Sequence, residues 1–208
     1  MNQEKDYIRD LAEIRAMMER TSKFLSLSGW AGTMAGVYAL AGAYIVYEFL
    51  HFNPDQILPS SLEAGNEPSG APMVILVALA VLVLSLGTAI FLSNRKANVR
   101  GEKVWNATSR KMLISMAVPL VAGGILVLVL FLKGLIGLLA PMTLIFYGLA
   151  LYNASKFTYE EVRSLGIIQM TLGWISAYYI EYGLLLWAVG FGVAHIAYGT
   201  YMHSKYER

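Results

Sequence analysis

A histidine and a glutamine are the polar side chains best placed to do chemistry within the apolar part of this chain. His195 lies inside the apolar run 188–201, and counting back from the preceding turn places it level with Gln169. A hydrogen bond between the two side chains would satisfy both where water is scarce. The same pair would line a proton or ion path. A relay normally needs several polar steps, and no Asp, Lys or Arg lies at the centre of a predicted helix. We therefore favour a packed, neutral histidine.

A second candidate pair is Glu48 and His51, which lie three residues apart at the outer end of the first predicted helix. Paired copies of Glu-x-x-His bind metals in helical bundles. This chain has one copy, at an interface, so we favour two water-facing side chains and predict no metal. The chain has no cysteine, no phosphate-binding glycine loop and no nucleophile elbow, so we expect neither a cofactor nor an enzymatic activity.

The composition predicts an all-α integral membrane protein. Of 208 residues, 57% are hydrophobic and 14% are charged, whereas soluble domains carry about a quarter charged residues. Residues 1–23 are predicted to form a cytoplasmic amphipathic helix, with Tyr7, Leu11, Ile14 and Met18 on its apolar face. Residues 24–208 are predicted to form six transmembrane helices, paired as three hairpins. The spans are about 24–50, 72–92, 112–132, 134–152, 165–180 and 183–202.

The positions of the basic residues predict the orientation of the spans. All of the 16 Lys and Arg residues except Lys133 fall on one side of the predicted topology. The positive-inside rule makes that side cytoplasmic. We therefore expect a multi-pass protein of the bacterial cytoplasmic (inner) membrane, with both termini inside.

A basic inner loop connects the second and third spans. Its basic residues are Arg95, Lys96, Arg100, Lys103, Arg110 and Lys111. Such a cluster attracts anionic lipid headgroups, although setting the topology alone would also explain it. We expect the lipid bilayer and its headgroups as partners, and no nucleic acid.

Small residues at helical spacing mark the predicted contacts between helices. Gly32 and Gly36 form a small-xxx-small step on the first span, and Gly192 and Gly199 flank His195 on the last. The pattern fits either a contact within one chain or a homo-oligomer.

The glycine-rich paired helices from about Leu113 to Met202 resemble, in architecture, small six-helix bacterial membrane proteins associated with acid resistance (HdeD-like). The resemblance implies a six-helix membrane fold and assigns no role to any residue. From the residues themselves, we expect a non-enzymatic structural or regulatory protein that binds a membrane or cytoplasmic partner. The alternative is a small channel or transporter with its polar path at His195 and Gln169.

Overall fold

The computed structural model describes residues 28–49, 71–99 and 105–207, and these segments are helical. Helices α1 to α5 are Gly29–Glu48, Ala71–Val99, Ala107–Leu132, Leu139–Ala154 and Glu161–Tyr178. The last helix, α6, consists of an α-helical turn Gly183–Trp187, a π-helical segment Ala188–Ala194 and an α-helical segment His195–Tyr206. The predicted amphipathic helix over 1–23 lies outside the described residues.

Among the described residues, five helical segments are long and apolar enough to cross a membrane: Gly29–Glu48, Pro72–Val99, Ala107–Leu132, Ile136–Ala154 and Ile180–Tyr206. Helix α5, which contains Glu161, Arg163 and Gln169, is not among them. By length and composition these helices are those of a multi-pass membrane protein.

Two helices extend well beyond their predicted spans, and this changes the description of the basic inner loop. Helix α2 continues from Leu92 to Val99, and α3 begins at Ala107 instead of Met112. The connection between α2 and α3 ends at Asn106. Its side chain accepts a hydrogen bond of 2.8 Å from the Ser109 N–H and so caps the N-terminus of α3. At 29 residues, α2 is about 43 Å long and exceeds the hydrocarbon thickness of a bilayer.

The packing places α2 and α3 at opposite margins of the described helices. Helix α1 packs between α2 and α6, while α4 packs between α3 and α5. Much of the apolar surface of the two marginal helices is uncovered: Leu86 and Val118, for example, are 57% and 72% exposed. Uncovered apolar helix faces of this kind are expected where lipid is the solvent.

Glycines allow two of the helix pairs to approach closely. A methyl group on Gly36 of α1 would lie 2.6 Å from the Gly192 carbonyl oxygen of α6. A methyl group on either Gly148 of α4 or Gly166 of α5 would lie 2.7 Å from the other's carbonyl oxygen. Both contacts are therefore backbone against backbone, as in other close helix pairs in membranes.

The ends of α1, α2, α5 and α6 meet at one edge, which we call the basic edge. Glu207 there accepts hydrogen bonds from the Gly29 N–H, Lys96 and His203, at 2.9, 2.8 and 2.8 Å. Glu161 accepts hydrogen bonds from Lys205 and Tyr206. These two carboxylates therefore connect the first and last described helices to their neighbours.

The pKa of Glu207 reflects this connection. Partial burial alone would raise the pKa of the Glu207 carboxyl. Hydrogen bonds from His203, Lys96 and the Gly29 N–H outweigh that effect and lower the pKa to about 2. The carboxylate is thus held in its charged form at any ordinary pH.

Candidate intramembrane polar site

The π-helical segment of α6 positions the buried polar groups. Gly190 and Gly192 lie within it, and glycine adapts readily to irregular helix geometry. The Gly190 carbonyl oxygen accepts hydrogen bonds from two side chains, Gln169 Nε2 at 2.7 Å and His195 Nδ1 at 3.0 Å. π-helical turns within α-helices often occur at functional sites. The Gly190 carbonyl is therefore the centre of the candidate site.

His195 is hydrogen-bonded through both ring nitrogens. Nδ1 faces the Gly190 carbonyl oxygen, and Nε2 lies 3.0 Å from the Tyr147 hydroxyl. Since a carbonyl can only accept, Nδ1 carries a proton. In a neutral ring, Nε2 then accepts the hydroxyl proton of Tyr147, so these contacts fit a neutral imidazole in one tautomer.

Gln169 holds the same carbonyl from helix α5. Its Nε2 lies 2.7 Å from the Gly190 oxygen, so the reversed amide would oppose two acceptors, and the orientation is fixed. Nε2 also lies 3.3 Å from His195 Nδ1, a contact between two donors. The remaining amide oxygen, Oε1, is buried without a hydrogen-bond partner. Oε1 fills the space that a side chain at position 190 would need, because a methyl group on Gly190 would lie 2.6 Å from Oε1.

Aromatic rings enclose the imidazole. The His195 ring stacks on Phe191 with an interplanar angle of 11°, and its centroid lies 5.5 Å from that of Tyr147. The Trp187 ring lies next to Phe191, with ring centroids 4.9 Å apart. His195 is only 5% exposed, so the imidazole is buried among protein groups.

A second buried polar group lies further along α5. Ser176 is fully buried, and its Oγ has no hydrogen-bond partner. It shares the buried face of α5 with Gln169 and Gly173. Seven residues separate Ser176 from Gln169, which is about 10.5 Å along a helix. The two unpartnered oxygens are therefore separate features of one helix face.

The structure brings the two predicted site residues together but separates them from the predicted glycines. Sequence spacing places Gly192, His195 and Gly199 on one seam of α6. In the structure, the glycines face α1 while His195 faces Tyr147 of α4 and Gln169 of α5. The π-helical segment accounts for the difference, because its wider turn changes the angle between Gly192 and His195.

Tyr147 and the Gly190 carbonyl are members of the site that the sequence analysis does not identify. Tyr147 lies in the apolar run of α4, seven residues before Ala154 at the end of the helix. A tyrosine that far from a helix end is unusual, since membrane tyrosines concentrate at the interfaces. That position is the signal that would have identified it. A backbone carbonyl leaves no such signal in the sequence.

The predicted outer pair is only partly described. Glu48 ends α1 and is exposed, while His51 lies outside the described residues. Across the described segments, no group of three or more His, Asp or Glu side chains is arranged to hold a metal ion.

The basic inner loop is, in its described part, two helix ends. Arg95 and Lys96 belong to α2, and Arg110 and Lys111 belong to α3. Lys96 faces the protein, where it pairs with Glu207 and is 13% exposed. Arg100 and Lys103 lie outside the described residues. Lys96 is therefore part of the contact between α2 and the end of α6, while Arg95, Arg110 and Lys111 are exposed.

The length and composition of the helices are consistent with a multi-pass membrane protein, and His195, Gln169 and Tyr147 form a polar cluster between them. No protein-family profile, curated protein or solved structure matches the chain.

Proposed function

We propose that this chain is a non-enzymatic structural or regulatory protein of the bacterial cytoplasmic membrane, with six membrane helices and both termini inside. The observation that carries the proposal is the closure of the His195 site. Both ring nitrogens are engaged by protein groups, and aromatic rings cover the imidazole. A group that binds and releases a solute needs a free position facing an opening, and His195 has neither ring nitrogen free.

The partners in this proposal contact the basic edge and the marginal helices. Arg95, Arg110 and Lys111 are exposed at the ends of α2 and α3 and suit anionic lipid headgroups. Each basic residue near such a surface contributes about 1 kcal/mol. The uncovered apolar faces of α2 and α3 suit acyl chains or a neighbouring membrane protein.

A second candidate function, a small channel or transporter, is favoured by one observation. Gln169 Oε1 and Ser176 Oγ are both buried and unpartnered on the same face of α5. Buried polar atoms normally have a partner, which is often water. A chain of water molecules along this face would satisfy both groups and would connect His195 to one side of the membrane.

Thiol labelling of the cysteine-free chain separates the two functions. We would introduce His195→Cys and treat oriented membranes with an impermeant thiol reagent from each side in turn. The structural proposal predicts no labelling from either side, and the transport candidate predicts labelling from at least one. Labelling of a folded His195→Cys protein would overturn the structural proposal.

Two exposed positions provide matched controls for the same experiment. Lys156 follows α4 at the basic edge, and Glu181 lies in the turn between α5 and α6; both are exposed. Lys156→Cys should be labelled only from the cytoplasmic side and Glu181→Cys only from the opposite side. Labelling of both positions from one side would contradict the proposed orientation.

A further inference from the structure

A small buried space lies where α4, α5 and α6 meet at the edge opposite the basic edge. Apart from its chain neighbours and the backbone of its own helix, a methyl group on Gly183 would have Ala140 Cβ as its nearest atom, at 3.7 Å. Ser176 Oγ and the Gly137 carbonyl oxygen follow at 3.8 and 4.0 Å. At each of the other buried glycines that the structure describes, an added methyl group would come within 2.4 to 2.7 Å of a neighbour. Gly183 therefore differs from them in having room beside it for one more heavy atom.

The Ser176 hydroxyl borders this space and has no hydrogen-bond partner in the protein. Ser176 is fully buried, and its Oγ is unpartnered. The hydroxyls of Thr171 and Thr200, which also lie within helices, bond to the carbonyl oxygen four residues earlier, at 2.9 and 2.8 Å. Ser176 does not make this bond, and its Oγ lies beside Gly183 instead. Because buried hydroxyls normally have a partner, the space is where that partner belongs.

The Gly137 carbonyl oxygen is the second polar atom at the space. A carbonyl in an α-helix accepts from the N–H four residues later, and for Gly137 that residue is Pro141, which has no N–H. Since a carbonyl oxygen has two lone pairs, Gly137 O keeps a position for a donor from outside its own turn. A hydroxyl and a carbonyl oxygen from different helices thus border one space, and water, which both donates and accepts, matches such a pair.

The space lies close to the edge and is separated from the candidate intramembrane polar site. Tyr179, which follows α5 three residues after Ser176, is exposed. In the other direction, a methyl group on Gly173 would lie 2.6 Å from Ile145 Cγ1. Helices α4 and α5 are therefore in direct apolar contact between Ser176 and Gln169. A molecule bound beside Gly183 would exchange with water at its own edge.

We propose that Ser176 Oγ and the Gly137 carbonyl oxygen bind one buried water molecule beside Gly183. The water accepts a hydrogen bond from the Ser176 hydroxyl and donates one to Gly137 O, so it joins α5 to the segment that begins α4. Such a bridge is nearly as favourable in enthalpy as a direct hydrogen bond. The site goes beyond the proposed function and does not depend on it. With this water as its partner, the Ser176 hydroxyl no longer favours a water path to His195.

A double-mutant cycle on the full chain, unfolded reversibly in mixed micelles, tests the site. Ser176→Ala removes one partner of the water, and we expect it to raise the unfolding equilibrium constant about fivefold, the usual effect of a lost hydrogen bond. Gly183→Ala places a methyl group where the water lies and should also raise the constant. The backbone of Gly183, with φ −53° and ψ −49°, is one that alanine adopts. Once Gly183→Ala has displaced the water, Ser176→Ala should cause no further rise.

A dry space gives the opposite signs. Ser176→Ala would then remove an unpartnered hydroxyl, and Gly183→Ala would fill the space at ordinary contact distances. An unchanged or lowered unfolding constant in either variant therefore overturns the proposal. Ser155→Ala is the matched control, because the Ser155 hydroxyl bonds to Tyr152 O within its own helix, at 2.7 Å. Its loss should change the constant less than about twofold.

The Ala140 methyl group gives a direct readout of the water. The full chain, with isotope-labelled alanine methyl groups, is placed in lipid nanodiscs, and NMR measures magnetisation transfer from water to that methyl. We expect transfer in the wild type and much weaker transfer in Gly183→Ala. Absence of transfer in the wild type, or equal transfer in both proteins, overturns the site. Thiol labelling of His195→Cys reports on a different part of the molecule, so this proposal and the proposed function can fail independently.

Discussion

At the residue scale, the hydrogen bonds to Gly190 and His195 differ in how much stability each contributes. Gly190 O accepts from both Gln169 and His195, so it keeps one donor if the other is lost. His195 Nε2 has Tyr147 as its partner. Loss of a sole partner leaves a buried acceptor unsatisfied, which costs more than loss of one of two donors. Tyr147 should therefore matter more than Gln169.

We expect Tyr147→Phe to lower the free energy of unfolding by about 1 kcal/mol, the usual worth of a hydrogen bond between membrane helices. Gln169→Met should cost less than about 0.5 kcal/mol, because it also removes the unpartnered Oε1. Reversible unfolding in mixed micelles measures both. A larger loss in Gln169→Met than in Tyr147→Phe would mean that Oε1 has a partner in the membrane.

At the residue scale, the sequence alone predicts part of the candidate site. His195 and Gln169 can be paired from their distances to the turn between α5 and α6, even though the π-helical segment of α6 lies within the counted stretch. The third member, Tyr147, comes from α4, whose depth relative to α5 depends on the packing of Gly148 against Gly166. Contacts of that kind depend on three-dimensional packing, so periodicity alone does not predict them.

At the element scale, the glycines of α1 and α6 set the distance between these helices. Gly36→Ala would place a methyl group 2.6 Å from Gly192 O and 2.9 Å from Ile196 N, both backbone atoms that cannot rotate away. We expect α1 to move outwards and the free energy of unfolding to fall by about 2 kcal/mol. Micelle unfolding of Gly36→Ala measures the loss.

Gly124→Ala is the matched control for this substitution. Gly124 lies within α3, and apart from its chain neighbours and the backbone of its own helix, no atom lies within 4 Å of the position that its methyl group would occupy. The higher helix propensity of alanine should then increase stability by about 0.5 kcal/mol. Equal destabilisation by Gly36→Ala and Gly124→Ala would contradict an internal α1–α6 contact and would point to an oligomer.

Helix existence is easier to predict than helix ends in this chain. Long uncharged runs predict α2 and α3, because an apolar run of about 20 residues is typical of a helix that spans a membrane. Their ends lie five to seven residues beyond the apolar runs, at Val99 and Ala107, where a cap and ion pairs continue the helix outside the apolar zone. The π-helical segment of α6 has no periodic signal in the sequence.

At the scale of the whole molecule, Glu207 connects three helices. It joins the start of α1, the end of α2 and the last turn of α6 through the Gly29 N–H, Lys96 and His203. Helix α2 otherwise packs mainly on α1. Without Glu207, α2 should lose its direct connection to α6.

We expect Glu207→Gln to lower the free energy of unfolding by about 2 kcal/mol at pH 5, after allowance for solvent at the edge. The pKa of Glu207 is lowered to about 2 in the folded chain, and an unfolded glutamate titrates near 4.3. The charged carboxylate therefore stabilises the fold above the unfolded pKa, and this contribution is lost as the pH falls towards 2. The difference between wild type and Glu207→Gln should shrink over that interval.

Unfolding of both proteins in mixed micelles between pH 5 and pH 2 measures this difference, with Glu160→Gln as the control. Glu160 is an exposed carboxylate immediately before α5 at the same edge. Glu160→Gln removes a charge but no hydrogen bond between helices. The free energy of unfolding of this variant should therefore change with pH as that of the wild type does. Burial raises the pKa of the Glu161 carboxyl, and hydrogen bonds that include those from Lys205 and Tyr206 outweigh this effect and lower it. Neither substitution removes a hydrogen bond of Glu161, so its contribution should cancel from the comparison. A difference between wild type and Glu207→Gln that is independent of pH would mean that the side chain acts through packing, with its charge contributing nothing.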